Sequence, residues 1–244
     1  MLPAMYGRSA AIYDLLYTGI GLKDFTSEAT ELHHVIQSAR PGARTLLDVG
    51  CGTGALLAEM RGLYDVTGVD VSAAMLAVAW RRLPEAQLIE ADMRTFDLGR
   101  TFDAVTCLFS SIGYMTEEGE MERAVGRMAA HVAPGGALIV DGWLRPDAWL
   151  DDHRAEPEIA SDESTTVVRL AFSRRDGPIT TLDMHHLVRN RDGVEHFSEI
   201  HRLRLVPTKD YVAAVEKAGL ISRVAPEFMP NRDRVIGVRP NRDD

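Results

Sequence analysis

Between residues 45 and 141 the chain repeats one pattern: a short apolar run, then a turn or an amphipathic helical stretch. The apolar runs fall at 45–49, 65–70, 87–91, 102–108 and 137–141. Helical periodicity occupies 55–60, a stretch to about residue 82 opened by Ser72 as N-cap, and 118–132, which Pro134-Gly135-Gly136 stops. Runs this short are strands, and strands separated by helices pair in parallel through crossovers. A parallel sheet needs cover on both faces. The expected fold is therefore α/β, a mostly parallel sheet between two layers of helix.

Two helices are predicted ahead of this block, at 8–20 and 24–38. The second carries Phe25, Ala29, Leu32, Val35 and Ile36 at helical spacing and ends near Pro41-Gly42. Beyond residue 160 the rhythm changes to three strands at 165–174, 179–190 and 195–206, joined by the hairpin dipeptides Asp176-Gly177 and Asp192-Gly193. A helix at 208–218 and strands at 220–225 and 234–239 follow. The chain thus divides into a helical cap (1–40), a parallel-sheet domain (41–160 and 207–244) and an antiparallel insertion or lid (161–206). An exposed edge on that insertion makes a homodimer an expectation.

Composition narrows the function. A net charge of −9 argues against nucleic acid as partner, since phosphate backbones need a basic face. No apolar run reaches the ~20 residues that span a bilayer. Residues 1–11 lack the apolar core of a secretory signal, and two cysteines make no disulfide framework, so the cytoplasm is the expected location. The eight histidines show no metal-ligand spacing, and no metal is expected.

The chemistry begins at Asp48-Val49-Gly50-Cys51-Gly52-Thr53-Gly54, between the first strand and a helix. Strand, glycine loop and helix in that order are Rossmann-like, and bare backbone lets a ligand lie close. Dinucleotide sites favour G-x-G-x-x-G with a pyrophosphate on the helix N-terminus. Here the spacing is G-x-G-x-G, and the Asp48 carboxylate at its mouth would repel pyrophosphate but attract an ammonium. An NAD-linked oxidoreductase is the non-transferase alternative. Asp70 ends the second strand, where a carboxylate can accept two ribose hydroxyls. Asp92-Met93 follows the third strand, placed to read an adenine edge. Val71 and Met75, just past Asp70, complete a predicted adenosyl site for S-adenosylmethionine, with S-adenosylhomocysteine as product.

These residues, with Leu108-Phe109 after the fourth strand, resemble the class I methyltransferase signature. The resemblance implies a seven-stranded, mostly parallel sheet with one antiparallel edge strand. The string Phe109-Ser110-Ser111-Ile112-Gly113, with Asp103 to Cys107 before it and Asp92-Met93-Arg94-Thr95-Phe96 earlier, is similar to the TDP-3-amino-sugar N,N-dimethyltransferases of desosamine and mycaminose type. Met5-Tyr6-Gly7, Ile12-Tyr13-Asp14, Leu182 to His185, Ile200 to Leu203 and Pro230 to Val235 extend the likeness over most of the chain. It implies an N-methyltransferase of antibiotic biosynthesis acting on the amine of a nucleotide-linked sugar.

By that resemblance Tyr6 and Tyr114 are the candidate catalytic residues. Tyr13, Asp48, Gly50, Cys51, Gly52, Gly54, Asp70, Val71, Met75, Asp92, Met93 and Leu108 are assigned to the donor. Phe109, Ser110, Trp143, His185, Arg232 and Arg234 are assigned to the acceptor, and His201 is weighed beside His185. Two departures stand out. Tyr114 replaces a family histidine thought to orient or deprotonate the amine, and a phenol with a pKa near ~10 is a poor base at neutral pH. Arginines replace glycines in residues 230–235, where the family meets the substrate's phosphates. Both changes leave room for a different amine, such as a lincosamide-type intermediate, or for O- or C-methylation of a small molecule.

Overall fold

The computed structural model describes residues 6–150, 156–225 and 229–241. Seven strands form the main sheet: β1 (Thr45–Val49), β2 (Asp65–Asp70), β3 (Gln87–Glu90), β4 (Phe102–Cys107), β5 (Val132–Leu144), β10 (Ile221–Ala225) and β11 (Arg232–Val238). Their order is β10-β11-β5-β4-β1-β2-β3. All pairings from β5 to β3 are parallel, and β11 runs antiparallel to both of its neighbours. The antiparallel strand is therefore one place in from the edge, not at the edge as expected.

Helices cover both faces, as buried parallel strands demand. On one side α2 (Phe25–Ala39), α3 (Ala55–Met60) and α4 (Ala73–Arg82) bring Leu32, Ile36, Leu57, Met60 and Leu76 against Leu46, Ala104 and Ile139. On the other, α5 (Glu120–Ala130) and α6 (Thr208–Lys217) set Met121, Val125, Met128, Tyr211 and Val215 against Val105, Leu138 and Val140. Ile36, Leu47, Leu76 and Phe102 are fully enclosed, each worth roughly 1.5–3 kcal/mol of burial. The caps are local chemistry: Asp24 accepts from Ser27 N at the head of α2 and Ser72 from Met75 N at the head of α4.

The second sheet has four antiparallel strands in chain order, β6 (Glu158–Ser161), β7 (Thr166–Asp176), β8 (Ile179–Asn190) and β9 (Gly193–Arg204). Three strands were expected; β6 is an addition. It is held by α1 (Tyr13–Gly19): a Cβ on Gly19 would come within 2.6 Å of Ala160 Cβ, so only glycine admits that approach. The first predicted helix is broken accordingly, into a 3-10 turn at Ser9–Ala11 followed by α1. Ile12 and Leu16 then bury against Val167, Val188 and Phe197.

Candidate functional site

In the main sheet the chain moves one way from β1 to β3 and the other way from β4 to β5, so a crevice opens at the carboxyl ends of β1 and β4. The glycine loop fills its floor. Gly50 N and Cys51 N donate to Val69 O at 2.7 and 3.1 Å, which ties the loop to β2. Gly52 has φ of 55°, and a Cβ there would stand in open space, so its backbone faces the crevice bare. Gly54 does not line the crevice. A Cβ on it would meet Ala79 Cβ at 3.1 Å and Leu83 at 3.3 Å, so this third glycine serves the approach of the loop to α4.

The three acids differ in environment. Asp70 takes Gly52 N on one oxygen and Ser72 N on the other, both at 2.8 Å. The carboxylate is thereby fixed, with lone pairs left on each oxygen; burial raises its pKa against those amides. Asp92 is clasped by the Arg94 guanidinium, whose hydrogen bonds hold its carboxyl below the usual range. Asp48 is buried and accepts from Thr106 Oγ1 at 2.7 Å. Burial pushes it up to about 6, against the Thr106 hydrogen bond and the nearby Lys23.

Two narrow chambers lie over this floor. Asp70, Val71, Asp92 and Met93 line one. Tyr13, Lys23, Asp48, Cys51, Gly52, Met75 and Leu108 line the other. They meet at Tyr6, Gly50, Ser111 and Tyr114. Cys51, in the loop after β1, and Cys107, at the end of neighbouring β4, are both buried, and burial raises both thiols well above their ordinary value, so neither is a ready nucleophile.

Tyr6 and Tyr114 roof the junction, hydroxyl to hydroxyl at 2.6 Å. Tyr114 ends a 3-10 turn, Ser111–Tyr114, beyond β4, while Tyr6 comes from the cap with a left-handed φ of 57°. Burial raises both phenols, so both are neutral at physiological pH. Tyr114 Oη also lies 2.8 Å from His201 Nδ1 on β9. Two residues earlier on β9, Glu199 accepts from Arg8 N at 3.0 Å, Ser9 N at 3.3 Å and Ser9 Oγ at 2.5 Å, fastening the segment that carries Tyr6.

Beyond the two tyrosines lies a cavity of about 410 Å³, within the size range of small-molecule sites. Phe109, Ser110, Trp143, Trp149, Arg169 and Arg232 are among its walls. Phe109 and Ser110 take left-handed φ values of 50° and 67°, a strained turn that Ser110 Oγ secures by donating to Gly142 O at 2.9 Å. The Arg232 guanidinium lies 4.6 Å from the Trp143 ring and 5.6 Å from the Phe109 ring. Among the described residues no carboxylate lies within ion-pair distance of it, and burial lowers its pKa.

Comparison with known proteins decides the family. Residues 46–136 match the family described as methyltransferase domain. The dTDP-3-amino-3,6-dideoxy-alpha-D-glucopyranose N,N-dimethyltransferase of Streptomyces fradiae is 41% identical over 92% of this chain and 86% of its own length. The chain belongs to the class I S-adenosylmethionine-dependent methyltransferases. Within them it is closely related to the sugar N,N-dimethyltransferases: DesVI of Streptomyces venezuelae superposes with a TM-score of 0.90 at 36% identity, covering 95% of this chain and 98% of that one. A SAM-bound amino pentose methyltransferase of calicheamicin biosynthesis from Micromonospora echinaspora gives 0.84 at 38% identity, covering 93% and 96%.

In this methyltransferase two acceptor assignments need correcting, besides that of Gly54. His185 was expected at the acceptor, but it lies on the outer face of the second sheet, stacked on His196 at 5.3 Å and facing Asp183. Strand parity is the reason: Leu182, Met184 and His186 point inward on β8, so the odd positions point out. Arg234, also expected at the acceptor, is buried in ion pairs with Asp141 and Glu31, both at 2.7 Å. It shares a face with Arg232 but sits two residues, ~7 Å, in from the sheet end where ligands bind.

Sequence reasoning missed Lys23, Arg169 and Glu199. Lys23 is buried, paired with Glu28 at 2.6 Å and 3.9 Å from the centre of the Phe109 ring, where the methyltransferase brings α2 over the crevice. In sequence it stands in a polar stretch before a helix, with no signal of burial. Met5 lies outside the described residues.

Proposed function

We propose that this methyltransferase methylates the amine of a nucleotide-linked amino sugar, the class of acceptor that names its relatives in Streptomyces fradiae and Streptomyces venezuelae. One observation carries the reading: the Tyr6–Tyr114 hydroxyl pair stands between the crevice and a cavity that ends on the Arg232 guanidinium. An amine held at that pair would point at the crevice, while an anionic tail would lie toward Arg232 and the faces of Trp143 and Phe109.

The residues of the crevice fit S-adenosylmethionine. In this reading Asp70 accepts the ribose hydroxyls, Asp92 and the Met93 amide read the adenine, and Asp48 with the bare Gly52 backbone receives the ammonium. Lys23 and Tyr13, on the wall of the same chamber, hold the carboxylate. The donor, when bound, supplies an electrophilic methyl on a sulfonium. The protein's own task is then to position the nucleophile in line and exclude water. Tyr6 and Tyr114 do this by hydrogen-bonding the substrate nitrogen, and the apolar walls around them keep the amine in its neutral, nucleophilic form. The outer face of the second sheet leaves Phe172 at 59% and Ile200 at 57% exposure, which supports a dimer formed by that face.

The test is incubation of the purified protein with donor and a panel of TDP-linked 3-amino and 4-amino sugars, a lincosamide-type amine and matching hydroxy sugars. Mass shifts of one and then two methyls on an amino sugar are expected. A shift confined to the hydroxy sugars, or to the lincosamide-type amine, would replace the proposed acceptor.

A further inference from the structure

We propose that His201, oriented by Glu199, is the proton acceptor that works through Tyr114, so that Tyr114 relays a proton where it could not keep one. The inference rests on the amine reading above and adds to it the proton's destination.

The carboxylate beside His201 sets its tautomer, and the tautomer sets the direction of each hydrogen bond. His201 is 2% exposed. Its Nε2 faces Glu199 Oε2 at 3.7 Å, an ion-pair distance, and has no hydrogen-bond partner among the described residues. A neutral imidazole carries one hydrogen, and the carboxylate draws it to Nε2. Nδ1 is then a lone pair, so Tyr114 donates to it across 2.8 Å. A phenol has one hydrogen to give. With that hydrogen committed to His201, the Tyr114 oxygen can only accept, and it presents its lone pairs to the junction where Tyr6 meets it now. An N–H group is what such an oxygen takes.

The groups facing His201 support this tautomer. Tyr6 from the cap lies 4.6 Å away, ring to ring, and is neutral. Tyr114 from the 3-10 turn is neutral as well. His186, inward on β8, is kept neutral by burial and by Arg169, at about 4. Arg169 itself is engaged with Glu158. Glu199 stays charged: burial opposes it, but His201, Ser9 and the Arg8 amide hold it to about 2. Among the described residues, one anion and no unpaired cation therefore face the imidazole.

The step balances without a further reactant. An ammonium substrate gives a proton to Tyr114 Oη as the phenol's own hydrogen passes to His201 Nδ1. The N–H bond that breaks leaves its electron pair on nitrogen, the phenol is restored, and the charge moves to an imidazolium beside Glu199. The same path, run backward to water when product leaves, returns the histidine to neutral. Tyr114 thus needs no depressed pKa, because it never holds the charge. His201 does not touch substrate in this scheme and is a positioning and proton-storing residue.

The experiment compares wild type with His201→Asn, whose side-chain oxygen can still accept from Tyr114 but cannot take a proton, and with Glu199→Gln. The readouts are kcat from about pH 6 to about pH 9, S-adenosylhomocysteine affinity by calorimetry, and the ¹⁵N chemical shifts of His201. In wild type the shifts should report an Nε2–H tautomer with Nδ1 hydrogen-bonded. His201→Asn should lose on the order of 100-fold in kcat and the acid limb of the pH profile, with product affinity unchanged. In Glu199→Gln the acid limb should move to lower pH, since the imidazolium loses its counter-charge. A wild-type Nδ1–H tautomer would overturn the assignment whatever the substrate. So would an Asn variant with wild-type kcat and profile, or one in which kcat and product affinity fall together. A wild type that methylates no amino sugar but shows the Nε2–H tautomer overturns the acceptor and leaves the relay standing.

Discussion

Tyr6 and Tyr114 touch through their hydroxyls at 2.6 Å although 108 positions separate them in the chain. One comes from the cap and the other from the turn after β4, and the contact forms only when the cap lies over the crevice. Each phenol is neutral and half-buried, so the pair offers hydrogen bonds without charge to a nitrogen held between them.

Tyr114→Phe removes the hydroxyl and keeps the ring that packs beneath it. Turnover should fall about tenfold or more, while calorimetric affinity for S-adenosylhomocysteine stays near wild type. A loss of affinity equal to the loss of turnover would make Tyr114 part of the donor site instead.

Asp70→Ala should abolish measurable binding of S-adenosylhomocysteine, on the order of 100-fold weaker for two lost charge-assisted hydrogen bonds. It also strips Gly52 N and Ser72 N of their acceptor, so a lower Tm is expected. Asp70→Asn, which keeps an acceptor oxygen, should recover most of the Tm and little of the affinity. Undiminished affinity in both would remove the ribose assignment.

Asp48 gives a pH signature with opposite signs for folding and binding. Its folded pKa, about 6, lies above the ordinary carboxylate value because of burial. This group's contribution to stability is thus fully present below about pH 4 and is lost as pH rises through about 6. Binding of an ammonium needs the charged form, so affinity for S-adenosylhomocysteine should weaken as pH falls below about 6. Asp48→Asn should raise the Tm of the free protein at pH 8 by a few degrees and flatten the pH dependence of affinity. An unchanged pH dependence would detach Asp48 from the ammonium.

Arg232 and Arg234 should separate cleanly. Arg234→Ala leaves Asp141 buried without its partner, at a cost of roughly 3–5 kcal/mol and about 10 °C in Tm. Arg232→Ala should leave the Tm within a few degrees and raise KM for a nucleotide-linked sugar about tenfold or more. The same KM increase for the free amino sugar would argue against an anionic contact.

What could be read in the sequence is what is local. Asp48 to Gly54, Asp70 and Asp92-Met93 each close a strand, and the sheet brings strand ends to one edge, so the crevice they line could be read from their spacing. The acceptor side was harder because it depends on which face of a strand turns inward. His185 and His186 occupy both parities of β8, and only the alternation around them, with Leu182, Met184 and Val188 on the parity of His186, distinguishes the two. His186 turns inward, to the face on which Ile12 and Leu16 bury against Val188 and Phe197. The pair Arg232 and Arg234 poses a related problem along the strand, where two residues decide between a cavity wall and an ion pair. Glu199 was invisible for another reason. Its partners are the backbone amides of Arg8 and Ser9, and an amide carries no residue-type signature.

The cavity next to the tyrosine pair takes no wall from any residue between 23 and 108, the span that supplies most of the crevice at the strand ends. Evolution or an engineer can therefore recast the nucleophile's chamber while leaving methyl-group supply untouched. Diversity among such enzymes should accumulate in the cap, the second sheet and the last strand, and a graft of those parts alone should carry one enzyme's taste for its acceptor onto another's engine.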